Sequence, residues 1–150
     1  KVQVAQPCPS SWGYQGYNEV WLNGSNDWIY RHIHKSVQRV TFLANRAVAS
    51  SPLVERALNQ AAREVMLAQS SDWAFIMKTG TMVEYAKNRT LAHLGRFNRL
   101  YHDISNNCID ENWLRDIEYI DNIFPDMDYS MYKSLEKPLP GISQALALSL

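Results

Sequence analysis

Aromatic and amide side chains crowd one stretch near the start of the chain, residues 10–28. An indole or phenol presents a wide apolar face together with one N–H or O–H that needs a hydrogen-bond partner. Such groups suit a flat ligand with apolar faces and a polar rim, but they also suit the lid of a buried core. The composition of the stretch therefore predicts ligand binding or packing and leaves both open.

The stretch is predicted to be a structured loop. Its apolar residues fall neither at every second position nor at the i, i+3, i+4 spacing of a helix face. Gly13, Gly16 and Gly24 interrupt it, and polar Asn and Ser residues surround the aromatic ones. A glycine-containing loop serves a helix core poorly, which favours the binding interpretation.

Acidic and histidine side chains elsewhere form no recognisable reaction centre. Asp27 and Asp72 are acids close in sequence to the aromatic residues, and both are interpreted first as helix caps. His32 and His34 are two residues apart and therefore on different faces of a helix, whereas metal ligands on one helix need spacings of three or four. We expect no catalytic residue, no metal and no cofactor in this chain.

Composition and charge indicate one folded domain of 150 residues, 46% hydrophobic and 20% charged. The net charge is zero but uneven, because the first hundred residues carry twelve Lys and Arg against six Asp and Glu, and the last fifty carry three against nine. We expect the acidic C-terminal third to pair with the basic body. That balance argues against a nucleic-acid partner.

The sequence pattern predicts neither a membrane span nor a signal peptide. No apolar run approaches the roughly 18 residues of a membrane span, and the first residues lack the charged-then-apolar layout of a signal peptide. Cys8 and Cys108 lie too far apart in sequence to indicate a disulfide framework. We expect a soluble, cytoplasmic protein with no membrane partner.

Apolar spacing predicts two long helices in the first half of the chain. The first runs for about 22 residues, with Ser25 or Asn26 as its cap and Asp27 in its first turn. Ser51 then caps a second helix that has Pro52 at its first position. A short helix with Asp72 near its start follows.

A third long helix is predicted to end near residue 104, with Thr81 and Glu84 forming a capping box at its start. Asp110 is expected to cap a shorter helix, and residues 126–132 to form a last turn. The predicted fold is thus an all-α antiparallel bundle of three long and two or three short helices, preceded by the aromatic-rich loop. Residues 1–9 are an extended lead-in, 10–132 the helical domain, and 133–150 a tail or linker.

Six runs of residues carry a resemblance to a known family, and they occur in order between about residues 10 and 132: Ser11-Trp12-Gly13, residues 17–23 (YNEVWLN), residues 26–30 (NDWIY), residues 69–75 (QSSDWAF), residues 96–101 (RFNRLY) and residues 121–125 (DNIFP). They resemble the C-terminal helical domain of family 57 glycoside hydrolases. Within that family the similarity is greatest to the 1,4-α-glucan branching enzymes. Residues 13–16 (GYQG) differ from the acidic or glycine-rich residues expected at this place in the family, which leaves the roles of Tyr14 and Gln15 open.

The resemblance implies a division of labour. In that family the nucleophilic Glu and the acid Asp lie on an N-terminal (β/α) barrel, which this chain does not contain. The helical domain leans against the barrel and completes the α-glucan-binding cleft. The resemblance thus implies a non-catalytic domain of a branching enzyme, which transfers glycosyl groups with retention, and its partners are that barrel and an α-glucan chain.

Site residues follow from the same resemblance. It implies that Trp12 and Trp21 contact the substrate, and it aligns Trp73 with another motif of the family. A glucose ring stacks its C–H faces on an indole while its hydroxyl groups need polar partners at the rim. The predicted substrate-binding residues are Trp12, Tyr17, Trp21, Asn23, Asp27 and Trp73.

The alternative is a stand-alone helical module whose loop binds another protein. Aromatic residues are enriched at protein interfaces as well. Both hypotheses require the indoles of Trp12 and Trp21 to be exposed. Burial of both inside the bundle would contradict the binding hypothesis.

Overall fold

The described part of the chain folds into five α-helices whose order follows the sequence prediction. The computed structural model describes residues 3–46 and 51–134. The α-helices are α1 (Trp28–Arg46), α2 (Pro52–Ala68), α3 (Ser71–Thr79), α4 (Val83–Ser105) and α5 (Glu111–Ile120), and short 3-10 turns occur at Tyr14–Gly16, Asn18–Val20 and Tyr129–Tyr132. The described ranges contain no strand, so the predicted all-α class with three long and two short helices is confirmed.

The main core lies between α1, α2 and α4. Helix α2 contributes Ala57, Ala61 and Ala62, which have no exposed surface. Alanine projects little beyond its Cβ atom, so the larger side chains of α4, Phe97 and Leu100, fill the space opposite. Burial of each such Phe or Leu side chain stabilises the fold by about 1.5–3 kcal/mol.

A second, smaller core joins α3 to the bundle. Ile29 and Ile33 of α1, Ala74 and Met77 of α3, and Ala86 of α4 pack together there. These residues come from the N-terminal halves of α1 and α4. Helix α3 is therefore fixed to the end of the bundle that adjoins the loop.

Two of the predicted helix caps are confirmed. Ser51 Oγ accepts a hydrogen bond from the Val54 N–H at 3.3 Å, and Pro52 begins α2. Asp110 Oδ1 accepts from the Trp113 N–H at 3.1 Å at the start of α5. Each bond satisfies an N–H group that has no partner within its helix.

The predicted capping box at Thr81 is wrong. Helix α4 begins at Val83, so Met82 occupies the cap position and makes no side-chain cap bond. Thr81 lies one residue too early to reach the free N–H groups. Glu84, the predicted partner, instead forms an ion pair with Lys87 at 3.0 Å.

Helix α1 starts slightly later than predicted. It has 19 described residues, and Asp27 precedes the helix rather than lying in its first turn. Asn26, one of the two predicted caps, turns its side chain toward the loop and α3. The predicted end of the helix near Ala47 lies outside the described residues.

The acidic C-terminal third pairs with the basic body, as predicted. Arg56 of α2 binds Glu118 of α5 at 2.7 Å. On α4, Arg96 pairs with Asp121, and Arg99 contacts Asp110 at 3.2 Å and also covers the ring of Trp113. These contacts hold α5 and the segment after it against α2 and α4.

Four further predictions concern the lead-in, the two cysteines, the tail and a membrane span. Residues 3–9 are exposed and have no regular secondary structure. Cys8 and Cys108 are both free and exposed. Most of the predicted tail, residues 135–150, lies outside the described ranges, and within those ranges none of the helices is long and apolar enough to cross a membrane.

Candidate functional site

The loop before α1 folds back on itself through backbone bonds. The Ser11 N–H donates to the Gly16 carbonyl at 2.8 Å, and Ser11 Oγ donates to the Tyr17 carbonyl at 2.8 Å. Gly13 has a φ of 109°, and a Cβ atom added there would lie 2.4 Å from Val20 Cγ2. Only glycine fits this position, because the backbone is left-handed and Val20 packs against it.

Two asparagines hold the second half of the loop. The Asn26 side chain is fully buried, and its Nδ2 donates to the carbonyls of Val20 at 3.1 Å and Ala74 at 3.0 Å. Its Oδ1 accepts from the Asn23 N–H at 2.9 Å. Asn23 in turn donates to the Glu19 carbonyl at 2.7 Å and accepts from Ser25 N–H at 2.9 Å. The loop is therefore ordered by amide groups rather than by an apolar core.

This frame brings three aromatic rings together, Trp12, Trp21 and Phe75, which we call the aromatic cluster. The ring centroids are 6.2 Å apart for Trp12 and Trp21, 5.8 Å for Trp12 and Phe75, and 6.2 Å for Trp21 and Phe75. These distances lie within the range of favourable aromatic pairs. The cluster thus combines two side chains of the loop with one from α3.

The aromatic cluster faces solvent. Trp12 keeps 69% of its surface exposed, and Trp21 and Phe75 are half-buried. Tyr30 of α1 donates its hydroxyl proton to the carbonyl of Trp21, and burial raises the pKa of that hydroxyl. The condition that Trp12 and Trp21 are not sealed inside the bundle is therefore met.

The other predicted loop residues occupy different surroundings. Tyr17 is 67% exposed and Asp27 is exposed at the start of α1, so both side chains are free to contact a ligand. The Asn23 side chain is already bonded within the loop on both its donor and its acceptor side. A direct role for Asn23 in binding stays a prediction, as it does for Tyr17 and Asp27.

Trp73 does not belong to the aromatic cluster. Its ring is half-buried, stacks on His93 with centroids 6.4 Å apart and meets the edge of Tyr85 at 6.0 Å. Its Nε1–H donates to the Leu67 carbonyl at 2.8 Å. These contacts tie α3 to α2 and α4, and substrate contact by Trp73 stays a prediction. Asp72, interpreted as a cap, lies in the first turn of α3, where Ser70 holds the cap position.

Phe75 and Asn26 are site residues that sequence reasoning did not select. Phe75 stands two residues after Trp73 in the same motif, but the loop path that brings it to Trp12 is not visible in sequence. Asn26 was interpreted as a helix cap because that is the common role of Asn before a helix. Its burial depends on the position of α3, 48 residues further along.

A buried charged cluster lies beneath Trp73, between α2, α4 and the end of α5. Arg89 Nη2 lies 3.1 Å from His93 Nε2, and because a guanidinium only donates, Nε2 must accept. The proton is therefore on His93 Nδ1, which donates to Glu64 Oε2 at 2.7 Å. Asp121 closes the cluster through Arg96. Burial raises the pKa of Glu64 above its usual range, the nearby charge of Asp121 adds to the rise, and hydrogen bonds from His93 and Gln60 oppose it.

Within residues 3–46 and 51–134, two groups of side chains have atoms close enough together to ligate a metal: Glu64, His93 and Asp121, and also His102, Asp103 and Cys108. In the first group Arg89 and Arg96 both pair with Asp121, and Glu64 is bonded to His93 and Gln60. Two guanidinium groups beside the carboxylates would repel a cation. This group is therefore better suited to an internal salt-bridge network.

A cavity of about 510 Å³ lies elsewhere, lined by Met66, Phe124, Pro125, Asp126, Met127, Asp128, Ser130 and Met131. None of the six predicted site residues lines it. An extended, exposed aromatic surface matches one side of a cleft for a long chain better than an enclosed pocket for a small molecule. The aromatic cluster remains the candidate site.

Known proteins are similar to this chain in both sequence and fold. Residues 32–132 match the family "1,4-alpha-glucan branching enzyme, C-terminal". A 1,4-alpha-glucan branching enzyme of Thermococcus kodakarensis is 31% identical over 132 residues, which are 85% of this chain and 20% of the enzyme. Its crystal structure, in complex with glucose and additives, superposes with a TM-score of 0.80 over 86% of this chain and 24% of that one.

Two further crystal structures are similar. The α-amylase AmyC of Thermotoga maritima is 46% identical with a TM-score of 0.74, over 90% of this chain and 24% of that one. A family 57 branching enzyme of Pyrococcus horikoshii is 36% identical with a TM-score of 0.77, over 87% of this chain and 26% of that one. The chain spans only about a fifth to a quarter of these relatives. The match over residues 32–132 is nonetheless two-thirds of the sequence, and the chain belongs to the family of 1,4-alpha-glucan branching enzyme C-terminal domains.

Proposed function

We propose that this chain is the helical, non-catalytic part of an α-glucan branching enzyme and that its aromatic cluster forms one wall of the glucan-binding cleft. The observation that carries the proposal is the grouping of exposed Trp12 with half-buried Trp21 at the surface of an ordered frame. Apolar groups that are grouped at a surface mark a ligand-binding groove or an interaction site. Family membership favours this function over a stand-alone protein-interaction module.

The chemistry of a glucan chain fits this wall. The C–H faces of glucose stack on Trp12, Trp21 and Phe75, and hydroxyl groups at the ring edge meet the phenol of Tyr17 and the carboxylate of Asp27. The catalytic carboxylates belong to the larger part of the protein, the barrel that the resemblance implies. The helical domain would close the cleft from one side.

An aromatic wall also serves the branching reaction. Transfer with retention passes through a covalent glycosyl-enzyme intermediate, which water can hydrolyse before an acceptor chain arrives. Apolar rings over the cleft exclude water and hold the acceptor in its place. Loss of the wall should therefore shift the reaction from transfer toward hydrolysis.

Hydrolysis is a second candidate activity for the whole protein. The relative with 46% identity is described as an α-amylase. Products formed from amylose distinguish the two, because a branching enzyme creates 1,6 linkages and an amylase only shortens chains. New chain ends released by a debranching enzyme would establish branching.

The binding function is tested by titrating the protein that carries the catalytic barrel with maltoheptaose, because the helical domain supplies only one wall of the cleft. Trp12→Ala should weaken binding by about tenfold, which corresponds to about 1.4 kcal/mol. Tyr119→Ala is the matched control, since Tyr119 is an aromatic residue on α5 with 82% exposure outside the aromatic cluster. Equal affinity of wild type and Trp12→Ala would contradict the proposal.

The reaction itself is tested in the protein that carries the catalytic barrel. Trp21→Ala should lower the ratio of branching to hydrolysis while the chain remains folded. An unchanged ratio would show that the wall plays no part in excluding water.

A further inference from the structure

Asn26 combines complete burial with a position in an otherwise exposed loop. Within residues 10–27, all of which are described, only Val20 and Asn26 are buried. A buried amide is destabilising unless its donors and acceptor are bonded. Here Nδ2 uses both of its protons on backbone carbonyls, and Oδ1 accepts a backbone N–H.

These three bonds join the two halves of the aromatic cluster. The carbonyl of Val20 immediately precedes Trp21, and the carbonyl of Ala74 immediately precedes Phe75. One side chain therefore fixes the backbone beside a loop ring to the backbone beside a helix ring. The Trp21 and Phe75 rings lie 6.2 Å apart beside this link.

The other polar contacts between the loop and the helices are either solvent-exposed or made to α1 instead of α3. Glu19 and Lys78 of α3 form a solvent-exposed ion pair at 3.5 Å, a kind of contact that contributes about 0–1 kcal/mol. Tyr30 binds the Trp21 carbonyl but belongs to α1. Among the described residues, the donation from Asn26 to Ala74 is the buried side-chain bond that crosses from the loop to α3.

We propose that Asn26 is a positioning residue for glucan binding: it never touches the sugar, and it holds Trp21 and Phe75 at the spacing that a glucose unit requires. This inference rests on the proposed function. A binding surface that is assembled only part of the time binds more weakly in proportion to that fraction. A loop that keeps the bound arrangement a tenth of the time would thus lose about tenfold in affinity.

Asn26→Asp tests the role of the two donors, because the new carboxylate has the same shape, keeps the acceptor and cannot donate. Asn59→Asp is the matched control, since the Asn59 side-chain oxygen accepts from the Tyr129 N–H at 2.8 Å and a carboxylate does so equally well. Asn26→Ala introduces no charge and serves if the buried carboxylate unfolds the chain. All four proteins, wild type included, carry the catalytic barrel and are titrated with maltoheptaose at a temperature where far-ultraviolet circular dichroism shows the helices intact.

The expected result is a loss of about tenfold in affinity for Asn26→Asp and Asn26→Ala, and no loss for Asn59→Asp. Lowering the pH protonates the introduced carboxyl and restores one donor, so Asn26→Asp should recover part of its affinity in acid while Asn26→Ala does not. Unchanged affinity in both Asn26 variants would overturn the proposal. So would equal acid dependence of the two.

Hydrogen exchange separates this proposal from the function on which it rests. In Asn26→Asp the amides of residues 10–27 should exchange faster while those of α2 and α4 keep their protection. Unaltered exchange in the loop overturns the anchoring role whatever the titration shows. Maltoheptaose affinity that neither Trp12→Ala nor Asn26→Asp weakens, together with faster loop exchange in Asn26→Asp, would overturn the glucan function of the aromatic cluster and leave Asn26 as an anchor of the loop alone.

Discussion

The loop of residues 10–27 and the helical bundle behind it keep their shapes by different means. In the bundle, apolar side chains from α1, α2 and α4 are buried together, and the charged groups among them, such as Glu64 and His93, are bonded to one another. In the loop, most side chains are exposed, and order comes from Asn26, Asn23 and Ser11 bonding to the backbone. The large apolar faces are inside in one region and outside in the other.

The difference teaches where stability and binding reside. Substitutions in the bundle should change the free energy of unfolding, because they remove buried contacts. Substitutions in the loop should change its local order and its ligand affinity, because little of the bundle depends on it. The predictions that follow test this separation.

Glu64→Ala should have the largest effect on stability. It removes the acceptor of the buried His93 Nδ1–H and one acceptor of the Gln60 amide, and a buried donor left unsatisfied costs about 1–3 kcal/mol, to which the cavity left by the side chain adds. Urea denaturation measures the change. Glu111→Ala is the control, because the exposed pair of Glu111 with Arg56 contributes about 0–1 kcal/mol. A similar small loss for both variants would mean that the buried cluster does not support the bundle.

Glu64 should also give the bundle a dependence on pH. Because burial raises its pKa, the folded chain holds this proton at pH values where the unfolded chain, with an ordinary pKa of about 4.3, has released it. The contribution of Glu64 to stability is therefore highest in acid and falls as the pH rises from about 4.3 to the raised value, with a slope of at most about 1.4 kcal/mol per pH unit. Urea denaturation of wild type and Glu64→Gln across this range should show the extra slope only in wild type. A slope of the opposite sign would contradict the raised pKa.

Gly13→Ala should disorder the loop and spare the bundle. The added methyl group meets Val20 at 2.4 Å, and the left-handed backbone adds strain of about 1–3 kcal/mol. Hydrogen exchange of residues 10–27 should rise, while the unfolding midpoint of the helices stays near that of wild type. Gly24→Ala is the matched control, since a Cβ atom at Gly24 has no neighbour within 4 Å. A large drop in the unfolding midpoint would show that loop and bundle form one cooperative unit.

Helix caps give the smallest effect and test the bundle alone. Ser51→Ala should lower stability by about 1 kcal/mol, because the Val54 N–H loses its acceptor. Thr81→Ala should change stability by less than about 0.5 kcal/mol, since Thr81 makes no cap bond to α4. Thermal unfolding of the two variants side by side is sufficient. A larger loss of stability for Thr81→Ala would show that Thr81 does cap α4, as the sequence pattern predicts.

The sequence predicted the helices better than the site because helices are encoded locally. Apolar spacing located α1, α2 and α4, and Ser51 and Asp110 identified two starts, since each cap bonds an N–H three residues ahead. The prediction of a capping box at Thr81 and Glu84 is wrong because these residue types also occur where the helix begins one residue later, as α4 does at Val83. A local signal of this kind determines that a helix exists better than where it begins.

The aromatic cluster was predicted only in part because its geometry is not local. The residue types of Trp12 and Trp21 indicate a binding surface, and the class of ligand follows only from the resemblance. Phe75 and Asn26 became visible through contacts across about fifty residues, which no spacing rule reveals. The resemblance adds Trp73 to the predicted site residues through a separate motif, whereas the structure packs its ring on His93, outside the aromatic cluster.

The closeness of the two loop indoles has a practical consequence. Trp12 and Trp21 are 6.2 Å apart and tilted by 48°, near enough for their electronic transitions to mix. Two coupled chromophores of this kind produce paired bands of opposite sign in circular dichroism, and those bands vanish when the rings separate. Near-ultraviolet circular dichroism of these two indoles therefore reports whether the loop keeps its conformation, without an attached dye.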